Sequence, residues 1–304
     1  MTSYSSPKPL RWWQKHRNRV LLVGLLFVLP ALVNFTVFRY IPIIGSAWYS
    51  FWDYSLLGGF REFVGLDNYV RALTRDSSVL NGFRVTLLFV VLKVPLQVTL
   101  ALFLAVFASQ ERRGTGVIRA LIFIPVVTSF IVVSIVWGML LNRDIGLLNS
   151  LLQTLGLPRQ SFLTSPTNAL PSIVAIALWK DVGYSVIILV AGLKGIPVML
   201  YEAATIDGAN ARQRFLFITI PMLRRALTFV IITTTLFSFQ MFIPVYALTG
   251  GGPGQATNVI VHYVYQQAFV YSDMGYASAL SIILLMILFV VSAIQLRVLR
   301  GGDS

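Results

Sequence analysis

The feature that most constrains this chain is a series of uninterrupted apolar blocks, each long enough to cross a lipid bilayer. These blocks occur at residues 20–38, 85–107, 120–141, 173–193, 226–248 and 277–296. A helix of that length spans roughly 30 Å of hydrocarbon at about 1.5 Å per residue. The apolar residues do not follow the period-2 or narrow period-3.6 stripes of soluble domains. The sequence therefore predicts an all-α polytopic membrane protein with six transmembrane helices.

The composition supports this prediction and excludes several classes of function. Only 12% of the residues are charged, whereas soluble domains carry about a quarter. The net charge of +13 does not indicate nucleic acid, because the basic residues lie between the apolar blocks rather than in one patch. The chain has no cysteine, and its two histidines, His16 and His262, are isolated. We therefore expect no metal site, no catalytic residue and no nucleic-acid partner.

The basic residues predict the orientation of the chain in the membrane. Fifteen Lys and Arg lie in the N-terminal tail, the 108–119 and 194–225 loops and the C-terminal tail, and seven lie on the opposite side. Since basic residues resist translocation, both termini should be cytoplasmic. We expect the first block to be a membrane anchor rather than a cleaved signal peptide, because no small-x-small cleavage site follows it. We expect one membrane domain at 20–296 between tails at 1–19 and 297–304.

The loop between spans 4 and 5 has the pattern of a docking element rather than a plain tether. Residues 198–206 favour a short helix, and Gly208 supplies a backbone position that can end it. A second helical piece over 209–218 has basic side chains on one side and apolar side chains on the other. Pro221 then begins the next span. The pattern predicts two short helices that lie across the membrane face.

This loop resembles the cytoplasmic signature of importer-type ABC permeases, which runs Glu-Ala-Ala, three residues, Gly, nine residues, Ile-x-Leu-Pro. Here Glu202-Ala203-Ala204 is followed by Gly208 and by Ile218-Thr219-Ile220-Pro221, with Ile in place of the usual Leu. The extended form with Asp207 and Ala209 resembles the carbohydrate branch, which also serves maltose, other oligosaccharides and glycerol-3-phosphate. Two external segments, Leu248 to Pro253 and Gly275 to Ala279, resemble the same branch.

The resemblance implies an importer-type ABC permease fold with a cytoplasmic coupling helix between spans 4 and 5, in the bacterial inner membrane. It also implies a heterodimer with a second permease, two copies of an ATP-binding subunit and an extracytoplasmic solute-binding protein. No nucleotide-binding motif occurs in the chain, so ATP and Mg should be held by the partner ATPase and no cofactor by this chain. The resemblance assigns ATPase coupling to Glu202, Ala203, Ala204, Asp207, Gly208, Ala209, Ile218 and Pro221.

Polar side chains inside the spans are the candidates for the solute path. A lysine in a span costs roughly 2.5 to 3.5 kcal/mol on insertion scales, so these groups should face protein or a water-filled path. The candidates are Lys93, Gln97, Trp179, Lys180, Asp181, Tyr184 and Gln240. A structural ion pair or a snorkelling lysine is the alternative, especially for Lys93. Lys180 and Asp181 are sequence neighbours that point in different directions, so another span has to supply any partner.

Two other classes of function stay open at this point. A stand-alone secondary carrier could use Lys93, Lys180 and Asp181 as an ion relay, but it would have no need for the docking loop. A membrane-embedded enzyme should show clustered His, Asp or Glu at one membrane level, and no such cluster is visible in the sequence. The identity of the solute, and whether this subunit or its sister holds it, stay open too.

Overall fold

The computed structural model describes residues 16–110 and 114–300, and helices make up most of this part. Residues 1–15 and 301–304 of the two expected tails lie outside it. Within the described ranges, four helical segments are long and apolar enough to span a membrane, namely Val23–Tyr49, Ser77–Ser109, Ala169–Lys194 and Met274–Leu299. Two bent pairs, Thr115–Val127 with Phe130–Leu140 and Ala211–Met222 with Arg224–Phe239, raise the number to six when each counts as one span.

The first span is longer than the apolar block that predicted it. Helix α1 (His16–Phe35) continues through a π-helical turn at Thr36–Tyr40 into α2 (Ile41–Tyr49). None of its most apolar stretch is buried within the described chain. This span therefore offers its apolar surface to lipid or to another subunit.

A layer at one end of the bundle follows the first span, and it contains a small β-ribbon that the sequence did not predict. Strands β1 (Trp52–Ser55) and β2 (Gly59–Phe63) pair antiparallel. Aromatic side chains hold the ribbon to the end of α2, with the Tyr49 and Tyr54 rings stacked at 4.9 Å. A Cβ added at Gly275 would overlap the Trp52 carbonyl, so glycine is required where the ribbon meets the last span. Helix α3 (Asp67–Val70) and a π-helical turn (Arg71–Arg75) complete this layer.

The second span begins eight residues before its predicted start at 85. Helix α4 covers Ser77–Ser109, and the side chain of Asp76 caps it by accepting a hydrogen bond from the Ser78 backbone N–H at 2.9 Å. The same carboxylate accepts hydrogen bonds from the hydroxyls of Tyr263 at 2.6 Å and Tyr276 at 2.8 Å. One acidic side chain thus joins the start of α4 to two segments that follow much later in the chain.

Two predicted spans are broken in the structure. The block at 120–141 forms α5 (Thr115–Val127) and α6 (Phe130–Leu140), which meet at 102° because Thr128 and Ser129 adopt extended backbone. The block at 226–248 forms α12 (Arg224–Phe239) and α13 (Ile243–Leu248). Pro244 accounts for the second break, since a proline cannot donate to the preceding turn and clashes with its carbonyl.

The remaining helices connect and complete the bundle. They are α7 (Leu147–Thr154), α8 (Ala169–Lys194), α9 (Val198–Ile206), α10 (Ala211–Arg214), α11 (Ile220–Met222), α14 (Ile260–Tyr265) and α15 (Met274–Arg300). Helices α4 and α8 pack together along their length, and the buried Ala101, Ala105 and Ala108 lie in the cluster that α4 shares with α8 and α12. Small side chains allow such close approach between membrane helices.

Candidate functional site

A cavity of about 610 Å³ lies in the membrane domain between α4, α8, α12 and the break between α5 and α6. Its lining combines cationic, amide and phenolic groups with aromatic faces. The lining residues are Lys93, Gln97, Val126, Phe130, Lys180, Asp181, Tyr184, Thr234, Phe237, Gln240, Met241, Phe242, Ile243 and Pro244. Every predicted solute-path residue except Trp179 is among them. The structure thus brings together residues that are far apart in the sequence.

Lys93 and Asp181 form an ion pair across two spans. The Lys93 Nζ lies 2.6 Å from Asp181 Oδ2, and the lysine side chain is only 1% exposed. Asp181 is 28% exposed and borders the cavity. A buried ammonium requires such a partner, because an unpaired charge in this environment is strongly unfavourable. The structural interpretation of Lys93 therefore has direct geometric support.

Gln97 lies one helical turn beyond Lys93 and joins α4 to α8. Its Nε2 donates to Ser185 Oγ at 3.0 Å and to the Asp181 backbone carbonyl at 3.3 Å. Its Oε1 is buried and accepts no hydrogen bond within the described chain. Buried polar atoms normally have a partner, so this acceptor in the cavity lining is unusual.

The Lys180 ammonium lies at the break between α5 and α6. Its Nζ donates to the Val126 carbonyl at 3.4 Å and lies 5.0 Å from the centre of the Phe130 ring. The last carbonyls of a helix have no partner within the helix, and the negative end of the helix dipole attracts a cation. The bend thus places the Lys180 ammonium in the cavity wall, where two of its three N–H donors have no partner among the described residues.

Of the remaining predicted path residues, Tyr184 and Gln240 line the cavity and Trp179 does not. Tyr184 and Phe237 make an edge-on ring contact at 6.3 Å in the cavity wall, and Gln240 is exposed just after α12. Trp179 lies outside the lining and packs edge-on against Trp137 with ring centroids 5.6 Å apart. Its neighbour Lys180 faces the cavity because adjacent helical residues point about 100° apart.

The segment from Val198 to Met222 forms a compact helix–turn–helix at the end of the membrane domain. Helix α9 ends in a Schellman turn. The Ala209 N–H donates to the Ala204 carbonyl at 2.8 Å, and the Gly208 N–H donates to the Thr205 carbonyl at 3.1 Å. Gly208 has φ +79°, a conformation that residues with a Cβ rarely adopt. The predicted turn at this glycine is confirmed by the geometry.

The second helix of this segment is capped and tied back to the first. Asn210 and Gln213 form a reciprocal capping box, with bonds of 2.9 and 2.8 Å, so α10 begins at Ala211 rather than at the expected residue 209. Arg214 Nη1 donates to Thr205 Oγ1 at 2.9 Å, and the Tyr201 hydroxyl bonds Thr219 Oγ1 at 2.9 Å. These contacts make the segment one structural unit.

The predicted coupling residues divide into an outward set and an inward set. Glu202, Ala203, Asp207, Gly208 and Pro221 are exposed, whereas Ala204, Ala209 and Ile218 are half-buried. Neither Glu202 nor Asp207 forms an ion pair with any residue at 16–110 or 114–300. The unit therefore presents uncompensated carboxylates and small side chains at its surface.

Comparison with known proteins identifies the family. Residues 97–301 match the family described as "Binding-protein-dependent transport system inner membrane component". The chain is 34% identical over 286 residues to the trehalose/maltose transport system permease protein MalF of Thermococcus litoralis, covering 94% of this chain and 96% of the relative. It belongs to this family of permeases.

A second relative agrees with this assignment, and a solved structure shares the fold. The permease is 34% identical over 277 residues to the sn-glycerol-3-phosphate transport system permease protein UgpA of Agrobacterium fabrum, covering 91% and 94% of the two chains. Its fold matches a chain of a bacterial ABC transporter that imports the acidic polysaccharide alginate, with a TM-score of 0.80 at 22% identity and coverage of 96% and 99%. The predicted all-α, importer-type permease fold is confirmed.

Several cavity residues of the permease were not predicted from the sequence. Phe130, Thr234, Phe237 and Met241 line the cavity, yet each lies within an apolar run that also suits a lipid-facing or core position. A signal was present for Phe130, because Pro125 and the polar pair Thr128-Ser129 interrupt the third block. That interruption marks the bend that exposes this part of the cavity.

Proposed function

We propose that this permease supplies one half of the membrane path of an ATP-driven importer for a sugar or sugar-like solute, of the oligosaccharide or glycerol-3-phosphate type. The observation that carries the proposal is the mixed chemistry of the cavity. Lys180 offers N–H donors, Gln97 offers an unpaired acceptor, and Phe130 and Phe237 offer ring faces. Sugars combine hydroxyls with apolar ring faces and suit such a lining.

The helix–turn–helix unit supports coupling to a separate ATPase. Its exposed Glu202 is available to a basic group in a cleft of a partner, and the Schellman turn at Gly208 holds the helix in one orientation. ATP and Mg would be bound by two copies of that ATPase, and none by this chain. Closure of the ATPase pair would then bias the membrane domain between inward-open and outward-open states.

The full assembly that we propose also contains a second permease and an extracytoplasmic solute-binding protein. The fold is shared with a permease from an alginate transporter solved with a periplasmic protein that carries an alginate pentasaccharide. The distribution of Lys and Arg favours cytoplasmic termini and a cytoplasmic helix–turn–helix unit in the bacterial inner membrane.

The alternative of a stand-alone carrier has weaker support. An ion relay needs groups that exchange ions with water, but Lys93 is 1% exposed and paired at 2.6 Å. Collapse of the proton gradient in cells should leave solute uptake unchanged, whereas depletion of ATP should abolish it. The reverse result would favour a carrier.

The direct test of the path uses Lys180→Met in the complex reconstituted with its sister permease, ATPase and binding protein. This variant keeps the side-chain length and removes the charge, so we expect impaired uptake with normal assembly. Lys194→Met is the matched control, because Lys194 is exposed at the end of the same helix and outside the cavity. Unchanged uptake by Lys180→Met would contradict the path role, and loss of assembly would make Lys180 a structural residue.

A further inference from the structure

A second cavity, a groove of about 480 Å³, lies between α12 and α15 at the membrane end that carries the helix–turn–helix unit. Arg224 and Arg225, the first residues of α12, form its mouth. Its walls are mostly apolar and are built from Thr228, Phe229, Ile232, Leu296 and Leu299. Neither the solute path nor the ATPase coupling uses these residues.

The mouth of the groove carries uncompensated positive charge. Arg224 Nε donates to the Leu299 carbonyl at 3.1 Å, which orients the guanidinium and leaves its remaining donors available. Arg225 is exposed, and neither arginine forms an ion pair within the described residues. The N-terminus of the 16-residue helix α12 adds partial positive charge at the same place. The mouth therefore favours an anion.

The apolar walls extend from this mouth into the span. Phe229 is 51% exposed and Leu296 is 37% exposed within the chain. Ile232 lies seven residues after Arg225, which places it about 10 Å deeper along the helix. A hydrocarbon chain can follow such a path into the bilayer, whereas a soluble protein docked on the membrane face cannot.

The groove and the solute cavity lie on different sides of α12. Helical residues turn about 100° per position, so Thr228 of the groove is opposite Phe237 of the cavity. Ile232 and Thr234 likewise point in nearly opposite directions. Occupation of the groove therefore does not require contact with the solute.

We infer that this groove binds an anionic phospholipid, with the phosphate at Arg224 and Arg225 and an acyl chain along Phe229, Ile232 and Leu296. Basic pockets between membrane helices near the cytoplasmic surface suit this type of ligand. Free phosphate would satisfy the arginines but leave the apolar walls exposed. The lipid satisfies both parts of the groove, and the proposed orientation places it in the inner leaflet.

The test compares phosphatidylglycerol with phosphatidylcholine of the same acyl chains. The purified complex of the two permeases and the ATPase is equilibrated with an equimolar mixture in detergent micelles, and retained lipid is quantified by mass spectrometry. The wild type should retain phosphatidylglycerol preferentially. Arg225→Gln should lower that preference about fivefold, which corresponds to roughly 1 kcal/mol per basic residue at an anionic surface.

Arg297→Gln is the matched control, because Arg297 is exposed near the same end of α15 but does not line the groove. It should keep the wild-type preference, as should the charge-conserving Arg225→Lys. The inference is overturned by an equal preference in wild type and Arg225→Gln, or by an equal loss in Arg297→Gln, which would indicate diffuse attraction. Displacement by inorganic phosphate would reassign the groove to a soluble anion. Loss of the ATPase from Arg225→Gln with lipid unchanged would reassign it to a protein contact.

Discussion

At the scale of single residues, the ion pair between Lys93 and Asp181 joins α4 to α8 inside the membrane domain. Desolvation of the ammonium opposes burial, and the carboxylate 2.6 Å away compensates for it. Removal of one partner should therefore lower the stability of the folded protein more than removal of both. The exposed pair of Arg159 and Asp144, at 4.0 Å, contributes little to stability because water screens the two charges.

We predict that Asp181→Asn destabilises the permease by about 3 to 5 kcal/mol, because it leaves the Lys93 ammonium buried without its counter-ion. Thermal unfolding of the purified complex measures this loss. Asp144→Asn is the control and should change stability by less than about 1 kcal/mol. Adding Lys93→Met to Asp181→Asn should recover most of the stability. A double variant as unstable as Asp181→Asn alone would show that the pair is not the cause.

Asp76 is a second residue with effects beyond its own position. Burial by itself raises the pKa of this carboxyl, but hydrogen bonds from Tyr263, Tyr276 and the backbone outweigh burial and hold the pKa below its usual value. Burial and the nearby carboxylate raise the pKa of the Tyr263 hydroxyl, which stays protonated and donates. The ionised form of Asp76 is thus part of the folded structure.

We predict that Asp76 contributes a pH-dependent part of the stability. A carboxyl with a lowered folded pKa stabilises the protein above the unfolded pKa of about 4 and loses that effect as the pH falls through the folded pKa. The difference in melting temperature between wild type and Asp76→Asn should be largest above about pH 5 and should shrink towards about pH 3. Asp67→Asn, at an exposed pair with Arg75, is the control. A difference that is constant with pH would contradict this role.

At the scale of elements, the helix–turn–helix unit owes its shape to turn chemistry at three positions. The Schellman turn needs Gly208, and the capping box needs Asn210 and Gln213. Because these bonds are local, they hold the two short helices in one arrangement. We propose that the exposed carboxylates of the unit are the contact points for a partner.

We predict that Glu202→Lys weakens ATPase docking, because it places a positive charge against a basic group of the partner. Co-purification of the ATPase, solute-stimulated ATP hydrolysis and uptake should all fall, while solute binding by the external protein stays normal. Glu62→Lys makes the same charge change on the exposed strand β2 and should leave ATPase co-purification unchanged. Wild-type hydrolysis and uptake in Glu202→Lys would remove the coupling assignment.

We predict that Gly208→Asp misplaces the same unit without preventing membrane insertion. At φ +79° a residue with a Cβ is strained, so the turn should distort. Solute-stimulated hydrolysis and uptake should fall while the protein still reaches the membrane. Gly116→Asp is the matched control, because Gly116 lies in the first turn of α5, where its φ is not positive and a Cβ meets no neighbour. Equal activity in both variants would contradict the turn-based explanation.

At the scale of the whole molecule, the first span touches the bundle through its last part, α2, which contacts α15. Its most apolar stretch has no buried residue, whereas 56% of the corresponding stretch of α8 is buried within the chain. A single chain also encloses its cavity only in part, from α4, α8, α12 and the bend between α5 and α6. Both features are accounted for if a second permease completes the path.

We predict that the permease transports solute only as a heterodimer with a related permease. Purification through a tag on this chain should recover both permeases and the ATPase. Liposomes that contain this chain and the ATPase without the sister permease should show no ATP-dependent uptake, even with binding protein present. Full uptake by a homodimer of this chain would refute the proposed assembly.

The sequence by itself determined the features that depend on local chemistry. Apolar block length predicts spans, and the order of Glu202, Gly208 and Pro221 predicts the helix–turn–helix unit, because helix propensity and turn geometry act over a few residues. Tertiary structure alone decided the partner of Lys93, which lies 88 positions away, and the exclusion of Trp179 from the cavity. It also decided that Phe130 and Phe237 face that cavity. Which sides of two helices meet depends on how the whole bundle packs, and an apolar side chain in a span suits lipid, core and cavity alike.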